Sequence, residues 1–89
     1  MNNETHEARL KRMRMRSWRR GTKEMDMILG PYSDTELERL TDEQLVAFDA
    51  LLHENDQDLY QWVSGQMPCP DEHWTAIQRV QSFMNTRSH

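Results

Sequence analysis

The sequence predicts an all-α protein, a compact bundle of five short helices. Three observations predict it. No stretch of useful length alternates apolar and polar residues as a half-buried strand would. Apolar residues recur instead at i, i+3 and i+4. The three glycines and three prolines stand between these periodic segments, where they punctuate rather than interrupt. A length of 89 residues suits one domain, spanning 1–89, with frayed ends at about 1–5 and 86–89.

The first helix is expected from about Thr5 to Arg19. Leu10, Met13 and Trp18 fall near one face, Arg12, Arg16 and Arg19 spread over the other side, and Gly21 is the natural stop. The second begins around Thr22, with Met25, Ile28 and Leu29 on its apolar face. Gly30-Pro31 ends it by local rules, because proline lacks an N–H and restricts the residue before it. Ser33 with Glu36 then offers a capping box for a restart. The competing reading is one helix kinked at Pro31 and ending near Leu40; local rules favour the break. The third helix is the clearest. Thr41 caps it, Gln44 completes a capping box, and Leu45, Phe48, Leu51 and Leu52 form the buried stripe up to about Glu54. Asn55 or Asp56 caps a short fourth helix carrying Leu59, Tyr60, Trp62 and Val63, closed by Gly65. After the loop "MPCPD", a fifth helix starts near Pro70 or Asp71, with Trp74, Ile77, Val80 and Met84 on its inner face. The last three helices are the expected core.

Composition narrows the function classes. The lone Cys69 cannot form an internal disulfide, which suits a reducing compartment and a cytoplasmic location. No apolar run approaches the roughly 18–20 residues that span a membrane, so no membrane insertion is expected. The Arg-rich "ARLKRMRMRSWRR" has the look of a transit peptide, but Glu4 and Glu7 precede it and a periodic helix flows from it, so it is expected in the mature fold. Charge is split: residues 1–30 hold eight Lys/Arg and four Asp/Glu, while residues 31–89 hold three and eleven. The basic end therefore meets an anionic partner or packs on the chain's own acidic half.

Catalytic and metal chemistry find little support. Cys69 and His73 form one C-x-x-x-H pair with no second pair at ligand spacing, so His6, His53, His73 and His89 are expected as solvated surface histidines and no metal is expected. Cys69 as a nucleophile would need a base and an oxyanion site, and His73 is its only near neighbour of the right type, so no enzyme is expected. Asp56 and Asp58 suit a helix N-terminus. Met13, Met15, Met25 and Met27 read as core, with an adaptable contact surface as the alternative; Trp62 reads as core. Arginines interleaved with Trp18 could attract phosphates, but the chain is acidic, with a net charge of −4, and no nucleic acid is expected.

The segment "WRRGTKEMD", Trp18–Asp26, raises the functional question. Its plain reading is a helix end, with arginine in the last turn and glycine after it. Its sharper reading is a corner that holds Arg19 and Arg20 outward for a partner. Arg20-Gly21-Thr22-Lys23-Glu24 resembles the R-G-x-x-E signature of the succinate dehydrogenase assembly factors, called SdhE in bacteria. "EMD" and "LTDEQLVAFDALLHENDQDLYQWV" resemble further segments of that family at its spacing, so the similarity covers about residues 9–84.

The resemblance implies a five-helix bundle, monomeric when free, that is not itself an enzyme. It implies binding to the flavoprotein subunit of succinate dehydrogenase, and often that of fumarate reductase, with promotion of covalent FAD attachment to a histidine there. The FAD then belongs to the partner, and no cofactor is expected on this chain. Arg20, Gly21 and Glu24, flanked by Arg19 and Asp26, are the implied partner-binding residues. The resemblance also implies a second helix that runs through the proline. If Arg20 and Glu24 are both exposed, alanine at either leaves the bundle folded. Alternatives from other classes are an antitoxin-like interaction module that counters a membrane-associated toxin, or a small nucleic-acid-binding protein using the basic N-terminal helix.

Overall fold

The computed structural model describes residues 4–87. The expected fraying at residues 1–3, 88 and 89 lies outside them. Among the described residues there are five α-helices and no strand: α1 (His6–Trp18), α2 (Lys23–Glu36), α3 (Asp42–Leu52), α4 (Asp56–Val63) and α5 (Trp74–Arg87). Single 3-10 turns, Leu37–Arg39 and Asp71–His73, follow α2 and precede α5. None of these helices is long and apolar enough to cross a membrane.

Polar side chains set four of the helix starts. Thr5, Thr22, Thr41 and Asn55 each accept a hydrogen bond from a first-turn backbone N–H, and Thr41 and Gln44 form the complete capping box. Each cap satisfies a donor that the helix cannot satisfy internally, worth about 1 kcal/mol. Gly65, at φ +83°, ends the turn after α4 as expected. Gly21 has no positive φ, so α1 stops at Trp18 without the glycine cap that its sequence suggests.

The expected break at Gly30-Pro31 does not occur: α2 runs through it to Glu36 and its 3-10 extension reaches Arg39. Neither does the Ser33–Glu36 capping box, because the buried Ser33 hydroxyl donates to the Gly30 carbonyl at 2.7 Å. Tertiary packing is the physical reason. A Cβ at residue 30 would overlap the ring carbons of Trp18, so glycine lets the α1 indole lie directly on the α2 backbone. The same indole N–H donates to the Asp34 carboxylate at 3.2 Å, bracing the helix beyond Pro31. Burial of Met25, Leu29, Tyr32 and Leu37 along this segment outweighs the roughly 3 kcal/mol that proline costs inside a helix.

The core draws on every helix, not only the last three. Leu10 and Met13 of α1 and Met25, Leu29 and Tyr32 of α2 join Leu45, Phe48, Leu51 and Leu52 of α3, Leu59 and Val63 of α4, and Ala76, Ile77 and Val80 of α5. The methionine cluster divides: Met13 and Met25 are sealed in, while Met15 and Met27 are exposed. Trp74, expected inside, is 56% exposed. The 3-10 turn rotates the start of the helix and brings His73 inward in its place, 3% exposed. Trp62 is half-buried against the core, its ring centroid 5.5 Å from that of His73.

The basic N-terminal half packs on the acidic remainder. Arg12 donates to both oxygens of Asp49 at 2.9–3.0 Å and also to Glu4. Arg9 reaches Asp42 at 3.7 Å, and Arg14 reaches Asp34 at 3.4 Å and Glu38 at 4.0 Å. Hydrogen bonds from Arg12 hold the Asp49 and Glu4 carboxyls below their ordinary values. Three of the arginines that could have faced phosphates, Arg9, Arg12 and Arg14, are thus engaged internally.

Candidate functional site

The chain between α1 and α2 is a four-residue corner, Arg19 to Thr22, and α4 builds its shape. Arg20 does not point outward. Its side chain is 8% exposed and turned into the junction of α3 and α4. Its Nε donates to Asp56 Oδ1, its Nη1 to the Leu52 carbonyl and its Nη2 to the Glu54 carbonyl, each at 2.8 Å. The planar fork suits this task, because its donors diverge far enough to meet a carboxylate and two carbonyls at once. Those carbonyls belong to the end of α3 and the turn after it, where intrahelical donors have run out. Asp56 opens α4, where negative charge is favoured.

Gly21 shares the same carboxylate: its N–H donates to Asp56 Oδ2. A Cβ at Gly21 would stand 2.8 Å from that oxygen, on a carboxylate that Arg20 holds in place through Oδ1. Glycine is needed here for close approach within the chain itself. Asp26, half-buried on α2, accepts the Arg20 backbone N–H at 2.6 Å. Three of the five residues singled out from sequence, Arg20, Gly21 and Asp26, are therefore joined in one internal network. The outward orientation expected of Arg20 is corrected by this geometry. The favourable partners inside are already a carboxylate and two carbonyls.

Arg19 and Glu24 are the two that face outward. Arg19 is exposed at the end of α1, and Glu24 is exposed on the first turn of α2. Neither side chain forms a hydrogen bond or ion pair within the described residues. Glu24 borders a groove of about 510 Å³ between the start of α2 and α4, where Tyr60, 40% exposed, forms the facing wall.

Sequence reasoning missed two members of the network. Asp56 was assigned only to a helix N-terminus, yet it is the acceptor on which the corner is built. His73 was expected in solvent. It is buried, and its Nε2 lies 2.8 Å from Glu54 Oε2, in the same turn whose carbonyl receives Arg20. A pairing between positions 36 apart leaves no local signature; the charge split along the chain was its only trace. Among the described residues no group of three His, Cys, Asp or Glu side chains could hold a metal ion.

The model of the family described as flavinator of succinate dehydrogenase matches residues 11–84. The FAD assembly factor SdhE of Legionella pneumophila (strain Lens) is 49% identical over 47 residues, covering 53% of this chain and 60% of that protein. The SdhE of Idiomarina loihiensis is 37% identical over 83 residues, 91% of this chain and 89% of that protein. The mitochondrial succinate dehydrogenase assembly factor 2 of Mycosarcoma maydis is 36% identical over 67 residues, 75% of this chain and 28% of that protein. The Legionella and Mycosarcoma matches span less than two thirds of those relatives' own length. With a family match over most of its length and the R-G-x-x-E motif at 20–24, this chain belongs to the flavinators of succinate dehydrogenase, the family of the SdhE assembly factors.

Proposed function

We propose that this chain is an assembly factor that binds the flavoprotein subunit of succinate dehydrogenase, and that of fumarate reductase, and promotes covalent attachment of FAD to a histidine of that subunit. It acts in the cytoplasm as a monomer and contributes no catalytic residue of its own. Family membership supports the reading, and so do the names of its relatives as FAD assembly factors. The observation that carries the site is the exposed Glu24 beside a corner held rigid by Arg20, Gly21 and Asp56.

A rigid corner loses little freedom when it docks, so more of its contact energy appears as affinity. Arg19 and Glu24 offer one charge of each sign for pairing across the interface, and Tyr60 offers a flat surface that is half apolar. Arg20, Gly21 and Asp26 serve binding by holding these groups in place. FAD, carried by the partner, would supply the 8α carbon, whose methyl gives up a proton as the histidine nitrogen bonds to it and the electron pair passes to the flavin ring. The reaction needs that carbon close to the accepting histidine and negative charge on the ring system stabilised. Docking holds the partner's domains in that arrangement, and proximity and preorganisation lower the barrier.

Co-expression of the flavoprotein with limiting amounts of the parent chain, Glu24→Ala or Arg19→Ala tests this. Covalent flavin is read as fluorescence in a denaturing gel. Loss of flavin with Glu24→Ala, at an unchanged melting temperature, is the expected result. Full flavinylation with both variants removes the outward face of the corner from the interface.

A further inference from the structure

A second groove lies elsewhere, of about 600 Å³ and bounded by the second half of α2, its 3-10 extension and α5. It shares no lining residue with the Arg20 corner. Tyr32 forms its floor. That side chain is 2% exposed, with its ring packed 5.1 Å from Phe48 and edge-on 5.6 Å from Phe83. Its ring is buried, but its hydroxyl, which has no hydrogen-bond partner among the described residues, is open to solvent at the groove. Burial pushes the phenol up to about 12, so it is a neutral donor at physiological pH.

Charge is the second observation. Residues 31–89 contain three basic side chains against eleven acidic ones: Arg39, Arg79 and Arg87. Two of the three, Arg39 and Arg79, come from different elements to line this one groove. Arg79 forms no ion pair within the described residues, and its one hydrogen bond, to the Thr75 carbonyl, is stretched to 3.5 Å. Arg39 is 74% exposed and meets Glu36 only at 3.7 Å. In α1, by contrast, Arg12 and Arg14 lie closer to carboxylates, at 2.9 Å from Asp49 and 3.4 Å from Asp34.

We propose that this groove is a binding site for a small organic carboxylate, a monoanion with a short apolar or aromatic body. Two guanidinium groups against the single carboxylate of Glu36 leave one positive charge to neutralise. A phosphate dianion would bring a second negative charge against Glu36. Guanidinium forks match carboxylate geometry, and the Tyr32 hydroxyl can donate to the same ligand in place of water. Leu40 supplies an apolar wall for the body of the ligand. The volume lies within the usual range for small-molecule sites, about 300–1,000 Å³.

Benzoate is the probe, added to the isotope-labelled full chain at physiological salt and followed by backbone amide shifts. Benzamide is the neutral control of the same shape, and inorganic phosphate is the control for charge alone. Benzoate is expected to saturate with a Kd at or below about 1 mM, with shifts concentrated at residues 32–44 and 75–86. Both controls are expected to bind at least about tenfold more weakly, since a charge-assisted pair is lost or mismatched. Arg79→Gln is expected to weaken benzoate by about tenfold or more, and Tyr32→Phe by several-fold, as one hydrogen bond is removed. Equal shifts from benzoate and benzamide overturn the proposal. So do shifts that stay linear in concentration, or an Arg79→Gln variant that binds benzoate like the parent. Should Tyr32→Phe destabilise the fold, Arg79→Gln decides alone. Flavinylation is read separately, so either reading can fail without the other.

Discussion

Replacing Arg20 by alanine removes a guanidinium that is 8% exposed and donates three hydrogen bonds of 2.8 Å to α3, the following turn and α4. Breaking one partner of a buried ion pair typically costs about 3–5 kcal/mol, because the other charge is left stranded. Asp56 keeps the Gly21 N–H and is 13% exposed, which sets the expectation at the lower end, about 3 kcal/mol. A domain of this size has a total stability of about 5–13 kcal/mol, so the loss is a large fraction. At about 4–8 °C per kcal/mol it lowers the melting temperature by about 12–24 °C. Arg20→Lys restores little, since one ammonium cannot span a carboxylate and two carbonyls. Glu24→Ala, by contrast, shifts stability by less than about 0.5 kcal/mol. Thermal and urea unfolding followed by circular dichroism measure both. A melting temperature for Arg20→Ala within about 4 °C of the parent, at unchanged urea slope, refutes the inward clamp and restores an exposed arginine.

Other substitutions probe the remaining contacts. Gly30→Ala gains about 1 kcal/mol of helix propensity yet is expected to destabilise by a net 1–3 kcal/mol, because its Cβ overlaps the Trp18 ring; a raised melting temperature refutes that packing. Gly21→Ala is expected to lower stability as well as flavinylation, since its Cβ displaces Asp56, and a variant that melts normally returns Gly21 to a purely interfacial role. Trp62→Ala is expected to cost toward the lower end of about 3–5 kcal/mol, because the ring is half-buried, and expression with a melting curve checks it. The folded-state value of Asp49 lies below its ordinary 3.8, so its contribution is fully present above that value and is lost as pH falls through the lowered one. Asp49→Asn is therefore expected to be less stable than the parent at neutral pH and to show a smaller further loss between about pH 4 and pH 2, by urea titration at each pH.

The helices, their caps and most of their inward faces followed from local chemistry. Thr41 with Gln44, the Leu45–Leu52 stripe and Gly65 act between neighbours in the chain, so periodicity and capping residues are enough to read them. The R-G-x-x-E motif was legible too, and so was the family it resembles. Orientation at the site was not. Arg20 beside Gly21 reads as an exposed helix end because its partners, Leu52, Glu54 and Asp56, lie more than thirty positions away. Gly30-Pro31 reads as a break because the indole that needs the glycine comes from another helix. His73 and Trp74 exchange inside for outside because the 3-10 turn ahead of α5 shifts the phase of its face. Local sequence determines which segments can be helical and how they start. Only packing between helices decides which side chains find partners inside, because a buried charge is tolerated where a distant residue completes it.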